Sequence, residues 1–79
     1  MKLEMYMTHD IVAGSYHLPH LYFHNDEEAK RGFTEMLTTP TCEFSKHKKD
    51  MELIHIGNID IETGELTVEK YCTMKGEEV

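Results

Sequence analysis

Three histidines, His17, His20 and His24, fall within eight residues, with His9 and Asp10 just upstream. Imidazoles bind divalent metals at about 2.0–2.1 Å, and three of them with a water make a catalytic-type zinc centre. The spacing does not favour one here. Pro19 makes the segment a poor helix, and on a strand His20 and His24 share a face while His17 lies opposite. Exposed histidines around a loop are expected instead. No metal and no cofactor is therefore assigned, and His17, His20 and His24 are the residues that would hold a metal. A second constellation is cationic. Ser45-Lys46-His47-Lys48-Lys49 carries three lysines in four positions, enough to meet about three phosphates, with a log–log salt slope near −2.7 on duplex DNA. Lys30 and Arg31 extend this set, and Tyr22 offers a ring on which an unpaired base stacks, at roughly 1–3 kcal/mol. The competing expectation is a solvated lysine loop with Tyr22 in the core.

Other chemistries lack their residues. Ser15 and Ser45 have no G-x-S-x-G setting, and Cys42 and Cys72 form no C-x-x-C pair. Phosphate loops of the G-x-x-x-x-G-K or G-x-G-x-x-G type are missing. Asp60-Ile61-Glu62-Thr63-Gly64-Glu65 is acidic but lacks the closing glutamate of a calcium loop, and a hairpin turn explains it. No enzymatic activity is expected.

These side chains must be positioned by a few short elements. Leu3, Met5 and Met7 alternate as on a half-buried strand, and Ala13-Gly14-Ser15 predicts a reversal. Residues 18–23 are apolar and aromatic but contain Pro19, which predicts an edge strand or extended segment. Asn25 predicts a helix N-cap, reinforced by Glu28 three positions on and by Asp26 and Glu27 in the first turn. Ala29, Phe33, Met36 and Leu37 share one helical face, and Pro40 predicts the end. Residues 41–50 read as a loop anchored by Phe44. Residues 51–61 are the most strand-like run, apolar on both faces in the middle, as in a central strand. Glu62-Thr63-Gly64 predicts a turn into a last strand with Leu66, Val68 and Lys70 on one face and Thr67, Glu69 and Tyr71 on the other. Strand, strand, helix, strand, strand predicts an α+β fold, a small mostly antiparallel sheet with one helix packed on it. Residues 1–79 form one domain, with 75–79 expected to fray.

Length and charge bound the partners. The chain has 79 residues, 39% of them hydrophobic and 29% charged, and a net charge of -7. Such a chain buries only about 60% of its unfolded surface, so its core is thin and a second copy would help it. The acidity excludes a protein that coats nucleic acid by bulk positive charge. It is uneven: residues 45–50 carry +2, while residues 51–79 carry -5. No apolar run approaches the roughly 18 residues of a membrane span, and Glu4 interrupts what would be the apolar core of a signal peptide. Both cysteines are expected to be reduced thiols in a cytosolic setting.

Asp10-Ile11-Val12-Ala13-Gly14-Ser15-Tyr16, Tyr22-Phe23-His24-Asn25-Asp26-Glu27-Glu28-Ala29, Arg31-Gly32-Phe33, the 44–50 segment and Met51-Glu52-Leu53-Ile54-His55-Ile56-Gly57, taken in order, are a recognisable layout. In it the chain resembles, over nearly its full length, the small nonstructural proteins of gokushoviruses, a subfamily of the Microviridae, tailless phages with single-stranded DNA genomes. The histidine enrichment at 17–24 and a short C-terminal end depart from that pattern. The resemblance implies a role in phage DNA metabolism: a nonstructural, DNA-binding accessory protein of genome replication or packaging in the bacterial cytoplasm. It brings no catalytic residues. The expected partners are single-stranded DNA and a second copy of the chain. The alternative is an acidic homo-oligomeric adaptor that binds phage replication or capsid-assembly proteins or a host factor.

Overall fold

In the computed structural model the side chain of Asn25 accepts the Glu28 N–H at 3.1 Å, and helix α1 runs from Asp26 to Thr38. Its start and stop are local events. The cap satisfies one orphan N–H, three acids face the positive end of the dipole, and Pro40 follows the C-cap Thr39. Ala29, Phe33 and Leu37 are buried along one face, with Met36 packed at its margin. Burying Phe33 alone is worth about 1.5–3 kcal/mol.

The structure describes residues 1–17, 19–22 and 25–79, leaving aside the side chains of Leu21 and Tyr22. Strand β1 (Lys2–Asp10) turns through 11–14 into the two-residue β2 (Ser15–Tyr16), and β3 (His20–Tyr22) also pairs with β1. After α1, a 3₁₀ segment spans Glu43–Asp50, followed by β4 (Met51–Asp60) and β5 (Leu66–Lys75). All pairings are antiparallel, in the order β2-β1-β4-β5 with β3 beside β1. The α+β architecture is as expected, and β4 is the central strand. Segment 20–22 is an edge strand.

The helix covers the face that the apolar alternation of β1 does not mark. Tyr6 and Thr8 are fully buried on that side, and Tyr6 clusters with Met51, Leu53, Ala29, Phe33 and Leu37. Leu3, Met5 and Met7 share the opposite face and are only half-buried. The reason lies in the register: Tyr6 stands opposite His55 and Thr8 opposite Leu53, whereas Met7 stands opposite Ile54 and Leu3 opposite Ile59. A tyrosine covers more area than a methionine and can hydrogen-bond at its far end. Both faces of β4 are buried at Leu53–His55, but the helix covers one of them.

Ile56 is an extra residue between the pairs Tyr6–His55 and Met5–Gly57, a bulge that re-aims β4. Gly57 makes it possible. Its φ is +152°, and a Cβ there would stand 2.1 Å from the Thr67 carbonyl oxygen. Two expectations are corrected. Residues 43–50 are a 3₁₀ segment, kinked at His47, and not an irregular loop. Residues 75–79 do not fray: Gly76–Glu78 form a 3₁₀ turn, Gly76 is buried and Val79 packs against the core. Gly76 fits because it has no side chain; a Cβ would fall 1.6 Å from the Lys48 carbonyl oxygen.

Candidate functional site

The basic segment is held at both ends. Phe44 packs against the core, its ring centroid 4.5 Å from that of His17, and Ser45 Oγ donates to the Cys42 carbonyl at 2.7 Å. Behind it, Gly76 presses on the Lys48 carbonyl. Lys46, His47 and Lys49 are exposed, and residues 45–50 line a shallow depression of about 390 Å³. The three lysines are not equivalent. Lys46 Nζ lies 3.5 Å from Glu43 Oε1, an exposed pair of little energetic weight. Lys48 is half-buried and donates to the Val79 carbonyl at 3.5 Å. Lys49 is exposed, with no hydrogen bond or ion pair among the described residues. The closing 3₁₀ turn adds exposed Glu77 and Glu78 close behind the segment.

The other expected DNA contacts lie elsewhere. Lys30 pairs with Glu27 at 3.4 Å on α1, and Arg31 is exposed on the next position. No hydrogen bond or ion pair among the described residues joins either to the 45–50 segment. Tyr22 lies in β3 opposite Glu4, with its side chain outside the described residues. His24 is also outside them. Among the described residues no group of three or more His, Cys, Asp or Glu could hold a metal ion, and His17 is turned onto Phe44. Cys72 is exposed, and partial burial of its thiol, with Glu52 beside it, pushes its pKa up, so it stays protonated.

A second constellation escaped the sequence reading. His55 is 1% exposed in the middle of β4. Its Nδ1 lies 2.6 Å from the Glu69 carbonyl oxygen and its Nε2 2.9 Å from Glu4 Oε1. A carbonyl accepts only, so Nδ1 carries a proton, and the proton between Nε2 and Glu4 completes the pair. Tyr71 stacks on the imidazole at 4.4 Å, and Tyr6 meets it edge-on at 5.1 Å. Both phenols donate to Asp26 at the start of α1, Tyr71 at 3.0 and 2.9 Å. Burial first, then these bonds, raises both phenol pKa values: Tyr71 to about 12, and Tyr6 further. Both ring nitrogens of His55 are engaged within the fold, Nδ1 with the Glu69 carbonyl and Nε2 with Glu4. The network ties β1, β4 and β5 to the start of α1. One signal was present: a histidine inside an apolar run must find a partner when buried.

Comparison with known proteins places these features. The family model described as Phage ORF5 protein matches residues 3–78. The chain belongs to the Phage ORF5 protein family. That match covers the basic segment, the His55 network and the packed turn after β5 alike. The phage origin implied by the sequence resemblance agrees with membership of the Phage ORF5 family. No curated protein and no solved structure is significantly similar to the chain. No helix among the described residues is long and apolar enough to cross a membrane.

Proposed function

We propose that this Phage ORF5 family member is a non-enzymatic accessory protein that touches single-stranded DNA through its 45–50 segment. The supporting observation is that a segment fixed by Phe44 and Gly76 holds Lys46, His47 and Lys49 exposed around one depression. Lysines on a fixed backbone lose less freedom on meeting phosphates than those of a free loop. Lys48 contributes from behind, and Lys30, Arg31 and Tyr22 are secondary contacts along the strand. With a net charge of -7 and two exposed lysines in the segment, the binding is weak and its log–log salt slope shallow. This suits a factor acting on the single-stranded genome of a gokushovirus-like phage during replication or packaging in the host cytoplasm. Mobility shifts on single-stranded oligonucleotides at low salt test it. A shift that disappears in Lys46→Glu/Lys49→Glu supports the reading, and an unchanged shift, or none in the unaltered protein, overturns it.

A second reading rests on the other end of the molecule. Glu4, Asn25, Asp26 and Glu27 line an open depression of about 400 Å³ whose charge suits a basic peptide. In this reading the protein is an acidic adaptor for phage replication or assembly proteins or a host factor. Pull-down from infected cells with Glu27→Lys as control tests it. A partner lost in the variant supports an adaptor, and no enriched partner excludes it.

A further inference from the structure

The sheet has a second face with no helix on it. From the registers, Leu3, Met5 and Met7 of β1 lie on it with Ile54 and Ile59 of β4 and with Leu66, Val68 and Cys72 of β5. Leu66 is 57% and Val68 80% exposed, although both are large aliphatic residues in a regular strand. No described element packs across Leu66 and Val68, whereas toward the other end Tyr16 stacks on His9 at 4.3 Å, Lys70 Nζ stands 4.8 Å over the Tyr16 ring, and Ile54 is 5% exposed.

Charge is distributed so as to spare this face. Its ionisable side chains along β1, β4 and β5 are His9, Glu52, Lys70 and Lys75, of which Glu52 is the one acid and is held by His9 at 2.8 Å. The other paired acids of β1 and β4, Glu4, Asp10 and Asp60, lie on the helix side with Tyr6 and Thr8. Two copies of a chain of charge -7 repel each other over most of their surfaces, but least here. The edge of β5 is a poorer meeting place. Its register against β4 shifts twice, and such irregularities discourage edge-to-edge pairing.

The area fits a modest interface. Strands of nine or ten residues are about 33 Å long and about 4.8 Å apart, so three of them present roughly 470 Å² of flat face. Two such faces give about 940 Å² at most, less where Ile54 and Gly57 are already buried, which sets the pairing among weak complexes. The residues are aliphatic rather than aromatic, which suits sheet-on-sheet packing about 10 Å apart better than base stacking.

We infer that two copies of this chain pack face to face through the uncovered side of the sheet, with Leu66 and Val68 at the contact. The pairing is concentration-dependent and needs no DNA. It holds or fails independently of the proposed DNA contact, whose lysines lie in the 45–50 segment.

Analytical ultracentrifugation of the full chain without DNA, from about 5 to 500 µM, tests it. The expected mass rises from the 9.2 kDa monomer toward twice that value. Val68→Glu, at an exposed site, keeps the monomer mass across the range with an unchanged circular dichroism spectrum. Leu66→Glu, a second exposed site, behaves the same. A wild-type protein that stays monomeric at the highest concentration overturns the inference, as does a dimer that survives both substitutions. Retained DNA binding by Val68→Glu separates this result from the functional reading.

Discussion

His55 Nε2 lies 2.9 Å from Glu4 Oε1, joining the central strand to its neighbour across a pair of side chains fifty-one residues apart in sequence. The imidazole is buried and its other nitrogen is already bonded to the Glu69 carbonyl. Removing the carboxylate therefore leaves a buried ring nitrogen without a partner. Glu4→Ala is expected to cost about 1–3 kcal/mol, a fall in Tm of several degrees for a domain of this size. Urea denaturation of Glu4→Ala, His55→Ala and the double variant measures it. The double variant should lose less than the sum of the singles.

Asp26 accepts from both Tyr6 and Tyr71, which has a consequence at alkaline pH. A phenol whose folded pKa lies above its unfolded value of 10.0 stabilises the fold fully below pH 10. That stability is lost as pH rises through the folded value, about 12 for Tyr71. The protein should hold its stability up to about pH 10 and lose it above. Absorbance at 295 nm should show two of the four tyrosines titrating late, and Asp26→Asn should bring Tyr71 back toward 10.

The turn after β5 makes a steric prediction. Gly76→Ala places a Cβ against the Lys48 and Met51 carbonyls, where backbone must move. It is expected to destabilise by about 1–3 kcal/mol, as overpacked sites do. Hydrogen exchange should show residues 76–79 and 45–50 opening together in the variant. Protection equal to that of the unaltered protein would mean that the two segments are not mechanically joined.

What was legible in the sequence was local. Asn25, Glu28 and Pro40 mark the helix because caps and stops act within four residues, and Gly64 marks the hairpin for the same reason. The alternation of Leu3, Met5 and Met7 shows which residues share a face but not which face the helix covers. That choice depends on Tyr6 meeting His55 and Asp26, contacts made over 49 and 20 positions. The bulge at Ile56 depends on the strand opposite. The order at Gly76–Val79 depends on a docking surface formed thirty residues earlier, which a polar, acidic tail does not advertise. Of the site, the lysines were visible as a run. That Lys48 would turn toward Val79 while Lys46 and Lys49 stayed exposed depends on a partner 31 residues away.

The proposed DNA contact is tested most directly by fluorescence anisotropy of a labelled single-stranded oligonucleotide across a salt series. Two or three phosphates neutralised by the 45–50 segment predict a log–log slope of about −1.4 to −2. Lys46→Glu/Lys49→Glu should flatten that slope and abolish binding at low salt. Anisotropy that does not rise at low salt, or a slope and affinity unchanged in the variant, would contradict the account.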